Sequence, residues 1–133
     1  MLPFDKRQNN KIIFKMPHVL QRIKERKQLF PNGSRADECY NEIKYAIRNP
    51  NKGIFVEDKR EDSQSNFICV FLGDSGEIIA IPCVVNDTCI VVTTVKDVRN
   101  DTSNPNWYVR NYNEVAKTRN LQSLPYMIKR LPN

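Results

Sequence analysis

The spacing of apolar residues changes twice along the chain and divides it into a helical part, a strand part and an irregular part. Between residues 17 and 29, and again between 34 and 48, apolar residues recur three and four positions apart, which predicts two amphipathic helices. Turn residues end these helices at Pro31-Asn32-Gly33 and at Asn49-Pro50. A short apolar run at 11–14 precedes the first helix and is a strand candidate.

The middle of the chain consists of short runs rich in β-branched and aromatic residues. Such runs predict strands, here at 53–56, 67–72, 78–81 and 89–95. Turn residues separate neighbouring runs, so consecutive strands are expected to pair antiparallel. Pro82 interrupts the third run, and either demotes that stretch to a sheet edge or marks a bulge. The predicted fold is α+β, with two N-terminal helices packed on a four-stranded antiparallel sheet.

A length of 133 residues fits one ordinary domain. We assign 1–98 to the α+β domain and 99–133 to a basic C-terminal extension docked on it. The chain has no stretch of about 18 apolar residues, and its start lacks the apolar segment of a signal peptide. We therefore expect a cytoplasmic protein with no membrane partner.

Composition and familiar motifs narrow the chemistry further. The four cysteines have apolar neighbours and form no C-x-x-C pair, so we expect buried thiols and no metal site. The chain has neither a Walker-type phosphate loop nor a G-x-G-x-x-G motif, and its few glycines are isolated. No cofactor is predicted.

Net charge points to the class of partner. Lys and Arg outnumber Asp and Glu by 21 to 15, which gives a formal charge of +6 and favours a polyanion, with RNA the partner we expect. A basic surface that is merely solvated is the alternative.

One constellation on the first helix could carry chemistry. His18, Arg22 and Arg26 are spaced four residues apart, so they lie near one stripe of a helix. An imidazole can transfer a proton near neutral pH, and guanidinium groups match the geometry of phosphate. A solvated basic helix face is the competing interpretation.

A second polar cluster ends the last predicted strand. Strand alternation places Thr94 and Lys96 on one face and Thr93 and Val95 on the other. If Lys96 shares the helix face, a hydroxyl and an ammonium group would meet the histidine and arginine stripe. The alternative for the threonines is ordinary strand propensity.

Further basic and aromatic residues are candidates for binding nucleic acid, because aromatic rings beside cations stack on unpaired bases. The candidates are Lys15, Lys24, Lys27, Trp107, Tyr108 and Arg110. Packing against the sheet is the alternative role for the aromatic residues.

The H-x-x-x-R-x-x-x-R first helix, the second helix ending in Arg48-Asn49-Pro50 and the closing run Ile90-Val91-Val92-Thr93-Thr94-Val95 resemble a known pattern. The layout over residues 11 to 98 resembles the barnase/RelE-like ribonuclease superfamily, particularly its BrnT-like toxin relatives. That resemblance implies two helices on a curved antiparallel sheet and metal-independent RNA cleavage, often by the toxin of a toxin/antitoxin pair. The chain departs from it by an insertion around 27–37 and by the extension.

The hypothesis is therefore a toxin-type endoribonuclease. The resemblance nominates His18, Arg22, Arg26, Thr94 and Lys96 as catalytic residues, with RNA as substrate and an antitoxin or other protein as partner. The alternative is a non-catalytic phage or mobile-element protein that binds nucleic acid or a protein. A protein-interaction domain with incidental basic charge is a third interpretation.

Overall fold

The computed structural model describes residues 2–26, 30, 36–74, 76–98 and 105–124. Over these residues the chain forms four helices and a six-stranded mixed sheet, so its class is α+β. The helices are α1 (Phe4–Asn9), α2 (His18–Glu25), α3 (Ala36–Arg48) and α4 (Pro105–Thr118). The strands are β1 (Lys11–Phe14), β2 (Ile54–Glu57), β3 (Phe67–Leu72), β4 (Ile78–Val85), β5 (Cys89–Val92) and β6 (Lys96–Asp97).

The predicted architecture of two N-terminal helices on a four-stranded antiparallel sheet is wrong. The strand order is β1-β5-β4-β3-β2 with β6 paired to β4, and β1 runs parallel to β5. A parallel neighbour needs a long connection, and α2, α3 and three strands lie between β1 and β5. Strands β2 to β5 do pair antiparallel in chain order. The six residues of α1 are too few to show a helical period in the sequence.

Helices cover both faces of the sheet. On the first face, α2 and α3 bury apolar residues that the periodicity predicts, namely Val19, Ile23, Cys39, Ile43, Ala46 and Ile47. On the second face, α4 packs over β2, β3 and β4. Trp107, Tyr108 and Arg110 lie within α4, and a turn at 119–120 follows the helix. Asn120, with φ of 56°, closes that turn, because the Leu121 amide donates to the Ala116 carbonyl at 2.9 Å.

Pro82 lies inside β4, in the middle of the sheet, and it coincides with a break in the neighbouring ladder. Strand β5 pairs with β4 up to Val92, and β6 pairs with β4 from Lys96 onward. Across that gap, Ile81 and Pro82 of β4 lie opposite the three residues 93–95, which is a β-bulge. A proline cannot donate to the ladder, so regular pairing stops there. Of the two alternatives for Pro82, the structure shows the bulge.

A buried arginine ties α1 to the end of α3. Only 1% of Arg7 is exposed, and its guanidinium donates to the carbonyls of Ile47 at 2.8 Å, Ala46 at 3.0 Å and Gly53 at 2.8 Å. The last carbonyls of a helix lack partners within the helix and carry its negative dipole end, so a cation suits them. Burial lowers the pKa of Arg7, and the nearby Arg119 also lowers it. The three carbonyls offset this cost by accepting charge-assisted hydrogen bonds.

Gly53 is required where β2 begins against α3. A Cβ atom there would lie 2.7 Å from Cys69 Sγ and closer still to the carbonyl oxygen of Ala46. We expect Gly53→Ala to lower the free energy of unfolding by about 2 kcal/mol or more, because overpacking must displace backbone. Urea denaturation measures the change. The nearby exposed Asn51 supplies the control, since Asn51→Ala should stay within about 0.5 kcal/mol of the wild type. Equal effects of the two variants would contradict this account of Gly53.

Candidate functional site

The bulge changes which side chains face outward beyond β5. Val92 and Val95 both belong to the core under α2 and α3. Strict alternation would have put Thr94 on the same face as Val92, but the extra residue shifts the pattern. Thr93, Thr94 and Lys96 instead line one cleft. The prediction that Thr93 and Val95 share a face is therefore wrong, because it assumed an unbroken strand.

Lys15 and His18 reach the same cleft from the link between β1 and α2. The Lys15 amide donates to the Val92 carbonyl at 2.9 Å, which holds the end of β1 beside the end of β5. The Val19 amide donates to the Lys15 carbonyl at 3.0 Å, which fixes the first turn of α2 on this link. His18 is the first residue of α2 and is half-buried. The parallel pairing of β1 with β5 thus brings the histidine to the threonines.

The loop between β2 and β3 forms the third wall, and a buried carboxylate organises it. The Asp58 side chain is 0% exposed. It accepts hydrogen bonds from Arg60 Nε at 2.8 Å, from Arg60 Nη2 at 2.7 Å, from Ser63 Oγ at 2.5 Å and from Ser65 Oγ. Burial raises the pKa of Asp58, but the bonds from Arg60, Ser63 and Ser65 outweigh burial and hold it well below its usual value. The loop is therefore fixed around a carboxylate that stays ionised at neutral pH.

These three segments enclose a cleft of about 370 Å³, which is the size of a small ligand site. Basic groups, hydroxyl and amide groups, and two carboxylates share its walls. The lining residues are Lys15, His18, Arg60, Glu61, Asp62, Ser63, Gln64, Ser65, Pro82, Thr93, Thr94 and Lys96. Lys15, Lys96 and His18 with several hydroxyl donors suit a phosphate-bearing ligand, whereas Arg60 is paired with Asp58 and supplies an N–H donor rather than a net charge.

The two arginines of the predicted stripe, Arg22 and Arg26, do not line this cleft. Arg22 Nη1 donates to Glu25 Oε2 at 2.6 Å, in an exposed ion pair on α2. Arg26 follows the last residue of α2, and its Nη1 donates to the carbonyl of Val95. Arg26 thereby fastens α2 to the segment between β5 and β6. Of the five predicted catalytic residues, the structure brings together His18, Thr94 and Lys96.

The predicted nucleic-acid-binding residues that the structure describes do not form one site. Lys15 lines the cleft, whereas Lys24 is exposed on α2 and does not line it. Lys27 lies outside the described residues. Tyr108 is 3% exposed and packs in the core under α4 with Trp107 at its edge. Arg110 is exposed and lines a separate groove along α4.

The loop residues 60–65 are site residues that sequence reasoning missed. Arg60, Ser63 and Ser65 leave a signal in the sequence. Their signal is local, because Asp58 is followed by donors two, five and seven positions later, a pattern typical of a side chain capping its own loop. The loop lies beside His18 because of the strand order β1-β5-β4-β3-β2, and no local pattern reveals that order.

Other site types find no support in the described parts of the chain. Those parts contain no group of three or more His, Cys, Asp or Glu side chains arranged to hold a metal ion. No disulfide joins the four cysteines, all of which the structure describes; Cys39, Cys69 and Cys83 are buried and Cys89 is half-buried. No helix among residues 2–26, 36–74, 76–98 and 105–124 is long and apolar enough to cross a membrane.

Comparisons with protein-family models, with curated proteins and with solved structures give no match to this chain. The resemblance inferred from the sequence motifs therefore stays a prediction.

The charge on Asp58 predicts how stability responds to acid. Its pKa is depressed in the folded state, so its stabilisation is complete above the ordinary value near 4 and declines as pH falls toward the folded value. We expect the difference in unfolding free energy between wild type and Asp58→Asn to be constant from about pH 5 to 8 and to shrink below about pH 4.

Urea denaturation at a series of pH values measures this difference. Asp62→Asn is the matched control, because Asp62 is an exposed carboxylate of the same loop. A gap between wild type and Asp58→Asn that persists unchanged down to about pH 2 would contradict the assignment.

Proposed function

We propose that this chain is a toxin-type endoribonuclease that binds RNA in the cleft beside His18 and cleaves it without a metal ion. The observation that supports the proposal is the convergence of His18 with Lys15, Arg60 and Lys96 in one cleft, from three separate segments of the chain. An imidazole changes charge near neutral pH, and the neighbouring cations suit a phosphodiester.

The proposed reaction needs only groups that these side chains supply. The 2′-hydroxyl of the RNA attacks the adjacent phosphorus, a bond forms between the 2′-oxygen and phosphorus, and the bond to the 5′-oxygen breaks. One group takes the proton of the 2′-hydroxyl, and one gives a proton to the leaving 5′-oxygen. His18 serves as one of them, and Glu61 is a carboxyl group in the same cleft that can serve as the other. Lys15 and Lys96 stabilise the charge that builds on the phosphate.

The sequence resemblance to barnase/RelE-like ribonucleases motivates the same proposal through the residues that it nominates, although the two-helix, antiparallel architecture that it implied is not the observed one. It nominated His18, Thr94 and Lys96, and these three share the cleft. Arg22 and Arg26 are not part of the proposed catalytic set, because neither residue lines the cleft. An antitoxin or another protein partner, and a place in the cytoplasm, belong to this proposal. A non-catalytic protein that binds RNA in the same cleft is the alternative.

His18 should be essential for cleavage, and Arg22 should not. We expect His18→Gln to lower the rate of RNA cleavage in EDTA by about 100-fold or more, because it removes a proton-transfer group. Arg22→Gln is the matched control on the same helix, and it should retain the wild-type rate within about twofold, because a surface ion pair contributes little. Gel analysis of a labelled RNA measures both rates.

Full activity of His18→Gln, or an equal loss in both variants, would overturn this mechanism. Tight RNA binding with no product from the wild type would favour the non-catalytic alternative.

Lys15 should contribute to affinity through charge. We expect Lys15→Gln to weaken binding to single-stranded RNA of any sequence and to reduce the slope of log affinity against log salt by about 0.7, because one phosphate contact is lost. Lys24→Gln removes the same charge from an exposed site outside the cleft and should leave the slope nearly unchanged. Fluorescence anisotropy across a salt series measures both slopes. Equal changes in the two variants would indicate diffuse attraction rather than a defined cleft.

A further inference from the structure

Hydrogen bonds to three different side chains hold the guanidinium of Arg60 in the cleft wall. Its guanidinium donates from Nε and Nη2 to Asp58, from Nη2 to Ser63 at 3.4 Å and from Nη1 to Tyr108 Oη at 2.8 Å. Its side chain is nevertheless 35% exposed and lines the cleft. A guanidinium has five N–H groups in a rigid fork, so these bonds leave one hydrogen on Nη1.

The bond to Asp58 changes what Arg60 can offer a ligand. The buried carboxylate neutralises the guanidinium, and it binds the side of the fork formed by Nε and Nη2. The pair as a whole therefore carries no net charge, unlike Lys15 elsewhere in the cleft. What remains for a ligand is one N–H with a fixed direction, because a fork held on two sides cannot rotate.

The bond to Tyr108 links the cleft to the helix on the second face of the sheet. Tyr108 belongs to α4, is 3% exposed, and packs with Ile54, Val56 and Ile68 in the second core. The Arg60 guanidinium also lies 5.8 Å from the centre of the Tyr108 ring. Burial raises the pKa of Tyr108, so its hydroxyl stays protonated and neutral. A rigid core residue thus accepts the one bond that orients Nη1.

We propose that Tyr108 is a positioning residue, which holds Arg60 Nη1 so that its remaining N–H points at a phosphate oxygen of RNA bound in the cleft. This inference rests on the proposed function for its ligand. The inference gives α4 a role in the site, because Tyr108 of this helix fixes the direction of the Arg60 donor. Asp58 fixes the opposite side of the same fork.

Three variants of the full chain test the inference through RNA affinity. Tyr108→Phe removes only the hydroxyl and keeps the ring, and we expect it to weaken binding to a single-stranded RNA by about three- to tenfold. The salt slope should not change, because no charge is removed. Tyr112→Phe is the matched control, since Tyr112 is also a buried tyrosine of α4 and does not line the cleft; this variant should bind RNA as the wild type does. Arg60→Lys keeps the positive charge beside Asp58 but removes the planar guanidinium and its fixed N–H donors.

The combination of variants separates positioning from a general effect on the fold. If Tyr108 acts only through Arg60, Arg60→Lys with Tyr108→Phe should bind RNA no more weakly than Arg60→Lys alone. Multiplied losses in the double variant, or wild-type affinity of Tyr108→Phe, would overturn the inference. Circular dichroism confirms that each variant is folded at the temperature of the assay.

A second readout works without RNA, so failure of the proposed function can be told apart from failure of this inference. NMR of the Arg60 guanidinium should show faster N–H exchange in Tyr108→Phe than in the wild type, and no change in Tyr112→Phe. Unchanged exchange in Tyr108→Phe would overturn the positioning role. A wild-type protein that binds no RNA would overturn the proposed function, while the exchange rates would still decide the role of Tyr108.

Discussion

Thr93 donates both its amide and its hydroxyl to the carbonyl of Pro82, at 3.0 and 3.1 Å, and these two bonds fix the point where the sheet stops being regular. Pro82 can accept from this neighbour but has no N–H to give back. The segment between β5 and β6 therefore has one residue more than the part of β4 opposite it, and beyond that point its side chains alternate in the opposite sense. Without the bulge, alternation would direct Thr94 and Lys96 toward the core under α2 and α3. With it, they face a cleft, and Val95 takes the buried position.

The rest of the site is assembled around that break by packing on both faces of the sheet. On the first face, Arg26 joins the end of α2 to the Val95 carbonyl, and the Lys15 amide joins β1 to β5. On the second face, α4 presents Tyr108 to the loop that Asp58 organises. Two independent cores thus support opposite walls of one cleft. This arrangement explains how side chains from distant parts of the chain can be held together in a small protein.

Local patterns predicted most of the elements and a part of the site. The period of the apolar residues located α2, α3 and the strand runs, and the proline correctly marked a bulge as one of two alternatives. The parallel position of β1 was not predictable, because nothing local distinguishes a strand that joins a distant neighbour from an isolated one. The spacing of His18, Arg22 and Arg26 suggested a common stripe, yet Glu25 and the Val95 carbonyl bind the two arginines. Arg60 was missed because its role depends on a buried carboxylate and on Tyr108, 48 residues further along the chain.

We propose that RNA occupies the cleft between the bulge, the start of α2 and the Asp58 loop. The most direct measurement is an NMR titration of the full chain with a short RNA whose 2′-hydroxyls are methylated, so that it binds without being cleaved. If RNA binds there, the amide signals of Lys15, Met16 and His18 and of residues 60–65 and 93–96 should shift together and saturate at one equivalent. Shifts confined to α4, or spread evenly over the basic surface, would contradict the proposal.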